Sequence, residues 1–109
     1  MTRLNIDCVD FGVRKFAIEY KERHYSEDGT HFYGTTDFVN GKIILEEEHI
    51  LDDMVLTLMH EINHILEGIF NVSAETKEEQ RVEAYANGFV LVMRLNPKLG
   101  RLLQAPEGK

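Results

Sequence analysis

Cysteine, proline and tryptophan are scarce in this sequence, and long apolar runs are absent. The 109-residue chain has one cysteine, two prolines and no tryptophan. A single cysteine, Cys8, excludes an intrachain disulfide and is typical of a reducing cytoplasm, so we expect a cytoplasmic protein with Cys8 buried as a small apolar residue. No window approaches the roughly 18 apolar residues of a membrane span, and no signal-peptide core follows the N-terminus, so no membrane partner is predicted.

Basic residues are fewer than acidic ones. Lysine and arginine number 12 against 19 aspartates and glutamates, which gives a net charge of −7. Proteins that bind DNA or RNA usually carry a basic patch, so no nucleic-acid partner is predicted. The length suits a single domain over residues 1–109. Because the core of such a domain is small, a bound metal would add to the stability of the fold.

The first half of the chain predicts β-strands, over about residues 4–46. Short β-branched or aromatic runs there are separated by polar segments and turn signals. The pair Asn40-Gly41 lies between two apolar runs, a pattern typical of a type I′ hairpin, with a simple bend before one strand at 42–46 as the alternative. These runs predict a small antiparallel sheet.

The second half predicts two helices and a short third one. Apolar residues recur at helical spacing over about residues 52–70 and again over about 76–95, where Thr76 and Glu79 have the spacing of a capping box. Pro97 disfavours helix at the residue before it, so the second helix ends there and a short C-terminal helix follows. The chain therefore predicts an α+β fold in which a small N-terminal antiparallel sheet packs on the two longer helices.

Residues 60–64 read His-Glu-Ile-Asn-His, an HExxH motif inside the first of these helices. Histidines four residues apart lie one turn apart on the same helix face, so His60 and His64 can bind one metal ion. Glu61 projects near that ion, where it can take a proton from an attacking water molecule. The motif predicts a zinc centre with hydrolase chemistry.

A catalytic zinc centre usually has three protein ligands and one open position, so a third ligand is needed beside the histidines. Glutamates occur near the motif at positions 67, 75, 78, 79 and 83. Glu67 points too far round the motif helix to complete the set, and Glu79 belongs to the capping box. Glu83 is favoured, because an antiparallel helix pair would bring it opposite the histidines. Glu79 remains an alternative, and so does a Glu83 that is simply solvated.

The two helical segments resemble a known family. HEINHIL at 60–66, followed by VEAYANGFVLVMRLNP at 82–97, is similar to the ImmA/IrrE-type metallopeptidases, in the short form common in phages and mobile elements. The resemblance covers about residues 33–103 and implies the gluzincin plan, with a minimal zincin core. It also implies a cytoplasmic location in a bacterial or phage-infected cell.

The resemblance implies the site residues as well. It assigns one Zn²⁺ per chain to His60, His64 and Glu83 and the general base to Glu61, for hydrolysis of a peptide bond in a cytoplasmic protein substrate. Beyond the resemblance, some residues are candidates to stabilise the oxyanion or to hydrogen-bond a zinc-binding histidine, namely His31, Tyr33, Tyr85 and Asn87.

Further expectations concern the surroundings of the site. The strand at 42–46 is expected to be an exposed edge above the cleft that accepts an extended peptide, with Glu46 to Glu48 favouring basic substrates. In a latent form, the cleft is expected to be covered either by the C-terminal tail, Leu102 to Lys109, or by a second copy of the chain in a homodimer. Histidines without ligand spacing are expected on the surface, namely His24, His31 and His49.

A second class of function remains open. The same scaffold would serve a catalytically weak or inactive zinc-binding protein that regulates a partner by contact. An intact Glu61 favours the enzyme, since a pure binding protein has no use for a general base. In a third interpretation the histidines only pack or cap the helix, and a metal assay separates that interpretation from the other two.

Overall fold

The computed structural model describes residues 3–104, and over that range it contains four β-strands followed by three α-helices. The strands are β1 (Cys8–Asp10), β2 (Lys15–Lys21), β3 (Gly34–Asp37) and β4 (Lys42–Glu46). The helices are α1 (Leu51–Phe70), α2 (Glu78–Leu95) and α3 (Pro97–Leu102). This order confirms the α+β class, with a small sheet first and the helices after it.

The sheet is mixed rather than antiparallel. Its order is β1-β2-β4-β3, with antiparallel pairing of β1 with β2 and of β3 with β4, and parallel pairing of β2 with β4. The prediction of an antiparallel sheet is therefore wrong for the central pair. The apolar strand β4 buries Ile43 and Leu45 and takes an inner position, where both of its edges are covered. β3 runs opposite to β2, and the hairpin between β3 and β4 reverses the chain again, so β4 runs in the same direction as β2.

The predicted hairpin joins β3 to β4 and is confirmed. Its connection spans residues 38–41, and the Asp37 carboxylate accepts hydrogen bonds of 3.1 and 2.8 Å from the backbone N–H and the side-chain amide of Asn40. A type I′ turn needs positive φ at both central residues. Only Gly41, at +66°, has a positive φ in this loop, so the predicted turn type is wrong.

The short strand β1 exposes the cysteine. Successive side chains along a strand point to opposite faces of the sheet. Val9 is fully buried in the core, so its neighbour Cys8 points the other way and is exposed. The expectation of a buried cysteine is wrong for this reason.

The helix α1 lies beside β3 and β4 and carries much of the core. Its buried apolar residues recur every three or four positions and so form one face, made of Met54, Leu58, Ile62, Ile65 and Leu66. The helix ends at the predicted residue, and Asn71 follows it in the left-handed conformation.

The start of α2 differs from the prediction. The helix begins at Glu78 with Lys77 as N-cap, and no side chain caps it. The Thr76 hydroxyl instead accepts a 2.9 Å hydrogen bond from the backbone N–H of Ser73, which closes a turn between the helices. The predicted capping box is therefore wrong. Within residues 3–104, no helix is long and apolar enough to cross a membrane.

Candidate metal centre

The HExxH motif lies within α1 and presents both histidines on one face. The Nε2 atoms of His60 and His64 are 3.0 Å apart. The two side chains are 68% and 52% exposed, because they lie on the face of α1 opposite its core stripe. An ion and a substrate can therefore reach both rings from solvent.

The geometry of the two ring nitrogens fits a zinc ion. Two imidazole lone pairs that face each other repel unless a proton or a cation lies between them. With Zn–N distances of about 2.0–2.1 Å, two nitrogen ligands of a tetrahedral ion are about 3.3 Å apart. The observed separation of 3.0 Å is close to that value, so only small movements of the rings are needed to hold an ion.

Glu61 lies beside the histidine pair and is buried. Its Oε2 atom is 4.0 Å from His60 Nε2, and its Oε1 atom accepts a 2.8 Å hydrogen bond from the Thr36 hydroxyl on β3. The donor atoms of His60, Glu61 and His64 all lie within 4.8 Å of one another, and residues 3–104 contain no second such group. Sequence reasoning missed Thr36, because no local pattern indicates which residue of β3 faces α1.

Glu67 connects the histidine pair to α2. Its Oε1 atom is 3.2 Å from His64 Nδ1, and its Oε2 atom accepts a 2.6 Å hydrogen bond from the Tyr85 hydroxyl. This hydrogen bond from Tyr85 holds the pKa of Glu67 below its ordinary value against the effect of burial, and it raises the pKa of Tyr85. A carboxylate at Nδ1 favours the tautomer that carries its proton there and leaves Nε2 free to bind a metal. Tyr85, one of the predicted candidates, therefore reaches the site through Glu67.

Glu83 and Asn87 lie in a different part of the surface. Both line a concavity of about 380 Å³ at the C-terminal end of α1, together with Phe70 and Asn71. Glu83 is two residues from Tyr85, so the two side chains project from nearly opposite sides of α2. Since Tyr85 faces α1 beside His64, the structure does not bring Glu83 to the histidines, and Glu83 as third ligand stays a prediction.

A cleft adjoins the histidine pair on the side of β3. It has a volume of about 440 Å³ and is lined by His60 and Glu61, by Leu56 and Thr57 of α1, and by residues 31–34. Two of the candidate oxyanion residues, His31 and Tyr33, are therefore on the wall of this cleft. The other two candidates, Tyr85 and Asn87, do not line it.

The edge strand beside this cleft is β3, not β4. Because β4 pairs with β2 on one side and β3 on the other, the expectation that residues 42–46 form an exposed edge is wrong. Glu46 and Glu47 are buried, and Glu47 is paired with Arg3 at 3.0 Å. The expectation that these acids favour basic substrates therefore loses its basis, since only Glu48 of the three is exposed.

Three of the five histidines converge on Glu46. The backbone N–H of His24 donates to its carboxylate at 2.8 Å, and the rings of His31 and His49 contact it at 2.7 Å. Burial raises the pKa of Glu46, but these hydrogen bonds outweigh it and hold the pKa below the ordinary value of 4.5. His24 itself is buried, so its expected surface position is wrong, and desolvation lowers its pKa.

The predicted site residues thus fall into separate groups. The structure brings one group together on α1 and the adjoining cleft wall: His60, Glu61, His64, His31 and Tyr33. The terminal residues 105–109, which belong to the tail expected to cover the cleft, lie outside the described part of the chain. The chain has no significant match to a protein-family model, to a curated protein or to a solved structure.

Proposed function

We propose that this protein is a zinc-dependent metallopeptidase that hydrolyses a peptide bond of a protein or peptide substrate. The observation that carries the proposal is the group on α1: two imidazole nitrogens 3.0 Å apart, with a buried carboxylate beside them. The hydrogen bond from Thr36 holds that carboxylate beside the two rings, where a general base is needed. The sequence resemblance to the ImmA/IrrE-type peptidases supports the same function.

Each residue of the group has a role in this proposal. His60 and His64 would hold the zinc, which when bound would supply Lewis-acid chemistry, polarising the scissile carbonyl and making water a stronger nucleophile. Glu61 takes the proton of the attacking water and passes it to the leaving amine. The Thr36 hydroxyl donates to Oε1 of Glu61, which leaves Oε2, the oxygen nearer His60, to accept that proton.

The substrate is proposed to bind as an extended strand. β3 is an edge strand of the sheet and lies against α1 at the site. An extended peptide can add to such an edge through main-chain hydrogen bonds. Because Thr36 of β3 contacts Glu61 directly, a peptide added to this edge would run past the Glu61 carboxylate.

Glu83 is proposed as the third zinc ligand from its predicted place in the helix pair and from the resemblance. Its position in the concavity with Phe70 and Asn71 favours a second candidate function, in which a weakly bound zinc serves a regulatory contact and catalysis is slow or absent. The two candidates share His60 and His64 and differ in whether Glu61 is used. Substitution of Glu61 therefore separates them.

The test combines metal content with cleavage. We expect about one zinc per chain by elemental analysis, with loss in the double variant His60→Ala, His64→Ala. Glu83→Ala is expected to weaken zinc binding, and Glu75→Ala, an exposed acid in the loop before α2, serves as its matched control. Zinc-loaded protein is then incubated with a library of proteome-derived peptides, and new termini are identified by mass spectrometry.

The outcomes separate the interpretations. Cleavage that is lost in Glu61→Gln while zinc content is kept supports the peptidase. Zinc binding without cleavage in the wild type supports the regulatory protein. If neither the wild type nor the Glu83 variant takes up zinc when it is supplied, the metal centre is rejected and the histidines only pack.

A further inference from the structure

An exposed leucine lies beside the proposed catalytic group. Leu56 is 68% exposed, although leucine is normally buried when a core is available. It precedes His60 by four residues, so it lies one turn before the first metal-binding ring on the same face of α1. The side chain lines the cleft that also contains His60 and Glu61. Leu56 is therefore positioned to contact a substrate rather than the core.

Aromatic side chains form the facing wall of the cleft. Phe32 and Tyr33 line it, and Tyr33 is 53% exposed. The ring of Tyr33 packs on His49 at 4.3 Å between centroids, and its other neighbour is His31 at 5.4 Å. We call residues His31, Phe32 and Tyr33 the aromatic wall, and His49 packs against it without lining the cleft.

Glu46 holds the aromatic wall in place from behind. Its buried carboxylate contacts both the His31 and the His49 rings at 2.7 Å. Rings that are fixed in this way lose little entropy when a ligand packs against them, which favours binding by preorganisation. Because both oxygens of the Glu46 carboxylate contact these rings, the carboxylate is not free to pair with a basic side chain of a substrate.

The cleft is closed where β3 meets α1. A Cβ atom on Gly34 would lie 2.6 Å from Cγ2 of Thr57, so the two elements are in contact there and only glycine fits. The Thr57 hydroxyl donates to the Asp53 carbonyl at 2.9 Å, which turns its methyl group towards Gly34. The cleft therefore ends at Gly34 and Thr57 and is bounded by Leu56 on one side and the aromatic wall on the other.

We propose that this cleft binds a large apolar side chain, aliphatic or aromatic, of the substrate residue next to the scissile bond. The inference rests on the proposed peptidase function and adds the substrate class to it. Leu56 on one side and the rings of Phe32 and Tyr33 on the other stabilise such a side chain by removing its surface from water. An acidic side chain would lose hydration there beside the Glu61 carboxylate, and a basic one could not pair with Glu46, which is already bonded. The cleft is next to Glu61, so its occupant flanks the bond that is cut.

The test profiles cleavage positions in the proteome-derived peptide library. For the zinc-loaded wild type we expect leucine, isoleucine, methionine and phenylalanine to be enriched at one fixed position beside the cut. Leu56→Arg is expected to abolish that enrichment and to favour acidic residues there, with zinc content unchanged. Leu56→Ala is expected to lower kcat/KM for peptides with a large apolar residue at that position about 10-fold. Val82→Arg, at a similarly exposed apolar residue of α2 (61% exposed), is the matched control and should keep the wild-type profile.

Failure of the inference differs from failure of the proposed function. Cleavage by the wild type with no preference beside the cut, or an apolar preference that persists in Leu56→Arg, overturns the apolar subsite and leaves the peptidase standing. Absence of all cleavage by zinc-loaded wild type overturns both. Because Leu56 is largely exposed, its substitutions leave the core intact, and a circular dichroism spectrum checks this directly.

Discussion

Single hydrogen bonds determine what the histidine pair can do. His64 is held at Nδ1 by Glu67, and Glu67 is held in turn by Tyr85. This chain of contacts fixes the ring plane and leaves Nε2 facing His60. A ring that rotated freely would have to be ordered again each time an ion bound, so the preset orientation would strengthen the proposed zinc binding.

We predict that Glu67→Gln weakens zinc binding about 10-fold, because substitution of a residue that orients a metal-binding histidine typically costs 10–100-fold in affinity. The amide keeps the size of the side chain but accepts the His64 proton less strongly. A competition titration with a chromophoric chelator measures the change. Glu75→Gln removes an acid of equal charge at an exposed position and is expected to bind zinc as the wild type does. Equal affinities in all three proteins would show that Glu67 does not orient His64.

Glu46 makes the stability of the protein depend on pH. Its pKa is lowered in the folded state, so its contribution to stability is present above its unfolded pKa of about 4.5 and is lost as the pH falls through the lower folded value. Replacement by glutamine should therefore destabilise the fold by about 1–3 kcal/mol near neutral pH, where the carboxylate receives its hydrogen bonds. Urea unfolding of wild type and Glu46→Gln at a series of pH values measures the difference. A difference that does not shrink in acid would mean that the charge of Glu46 is not what stabilises the fold.

Close packing between elements sets the position of the second helix. A Cβ atom on Gly88 of α2 would lie 2.8 Å from the side chain of Leu66. A Cβ atom on Gly100 of α3 would have no other atom within 4 Å. Gly88 therefore allows α2 to approach α1 closely enough for Tyr85 to reach Glu67. A larger residue at this point would separate the two helices.

This contact predicts opposite effects for two similar substitutions. Gly88→Ala should destabilise the protein by about 1–3 kcal/mol, because overpacking against Leu66 outweighs the gain of about 1 kcal/mol in helix propensity. Gly100→Ala meets no neighbour and should be neutral or stabilising by about 0.4–1 kcal/mol. Thermal and urea unfolding of both variants measure these effects. If Gly88→Ala is as stable as Gly100→Ala, Leu66 moves aside without cost and the close approach does not position α2.

Patterns that recur within one element could be predicted from the sequence, and relations between distant elements could not. The periodicity of α1 and the HExxH spacing are local, so the helix and the pairing of His60 with His64 follow from them. The place of β4 inside the sheet, the contact of Thr36 with Glu61 and the burial of Glu46 depend on register and strand order. Those are set by the packing of residues far apart in the chain, for which a single sequence carries no local pattern.

The molecule as a whole would gain stability from the proposed zinc ion, because its core is small. The buried apolar cluster is shared between one four-stranded sheet and the helices of a 109-residue chain. Domains of about this size have a small free energy of unfolding. A ligand that binds only the folded state adds to that free energy by mass action.

We therefore predict that zinc raises the melting temperature of the wild type. At a free zinc concentration 100 times the dissociation constant the added stability is about 2.7 kcal/mol, which corresponds to a shift on the order of 10 °C for a domain of this size. Differential scanning calorimetry with and without zinc measures the shift. Glu61→Gln should keep it, since the metal ligands remain, whereas the double variant His60→Ala, His64→Ala should lose it. An equal shift in the double variant would place the stabilising ion elsewhere, and the centre on α1 would then have no part in holding the fold together.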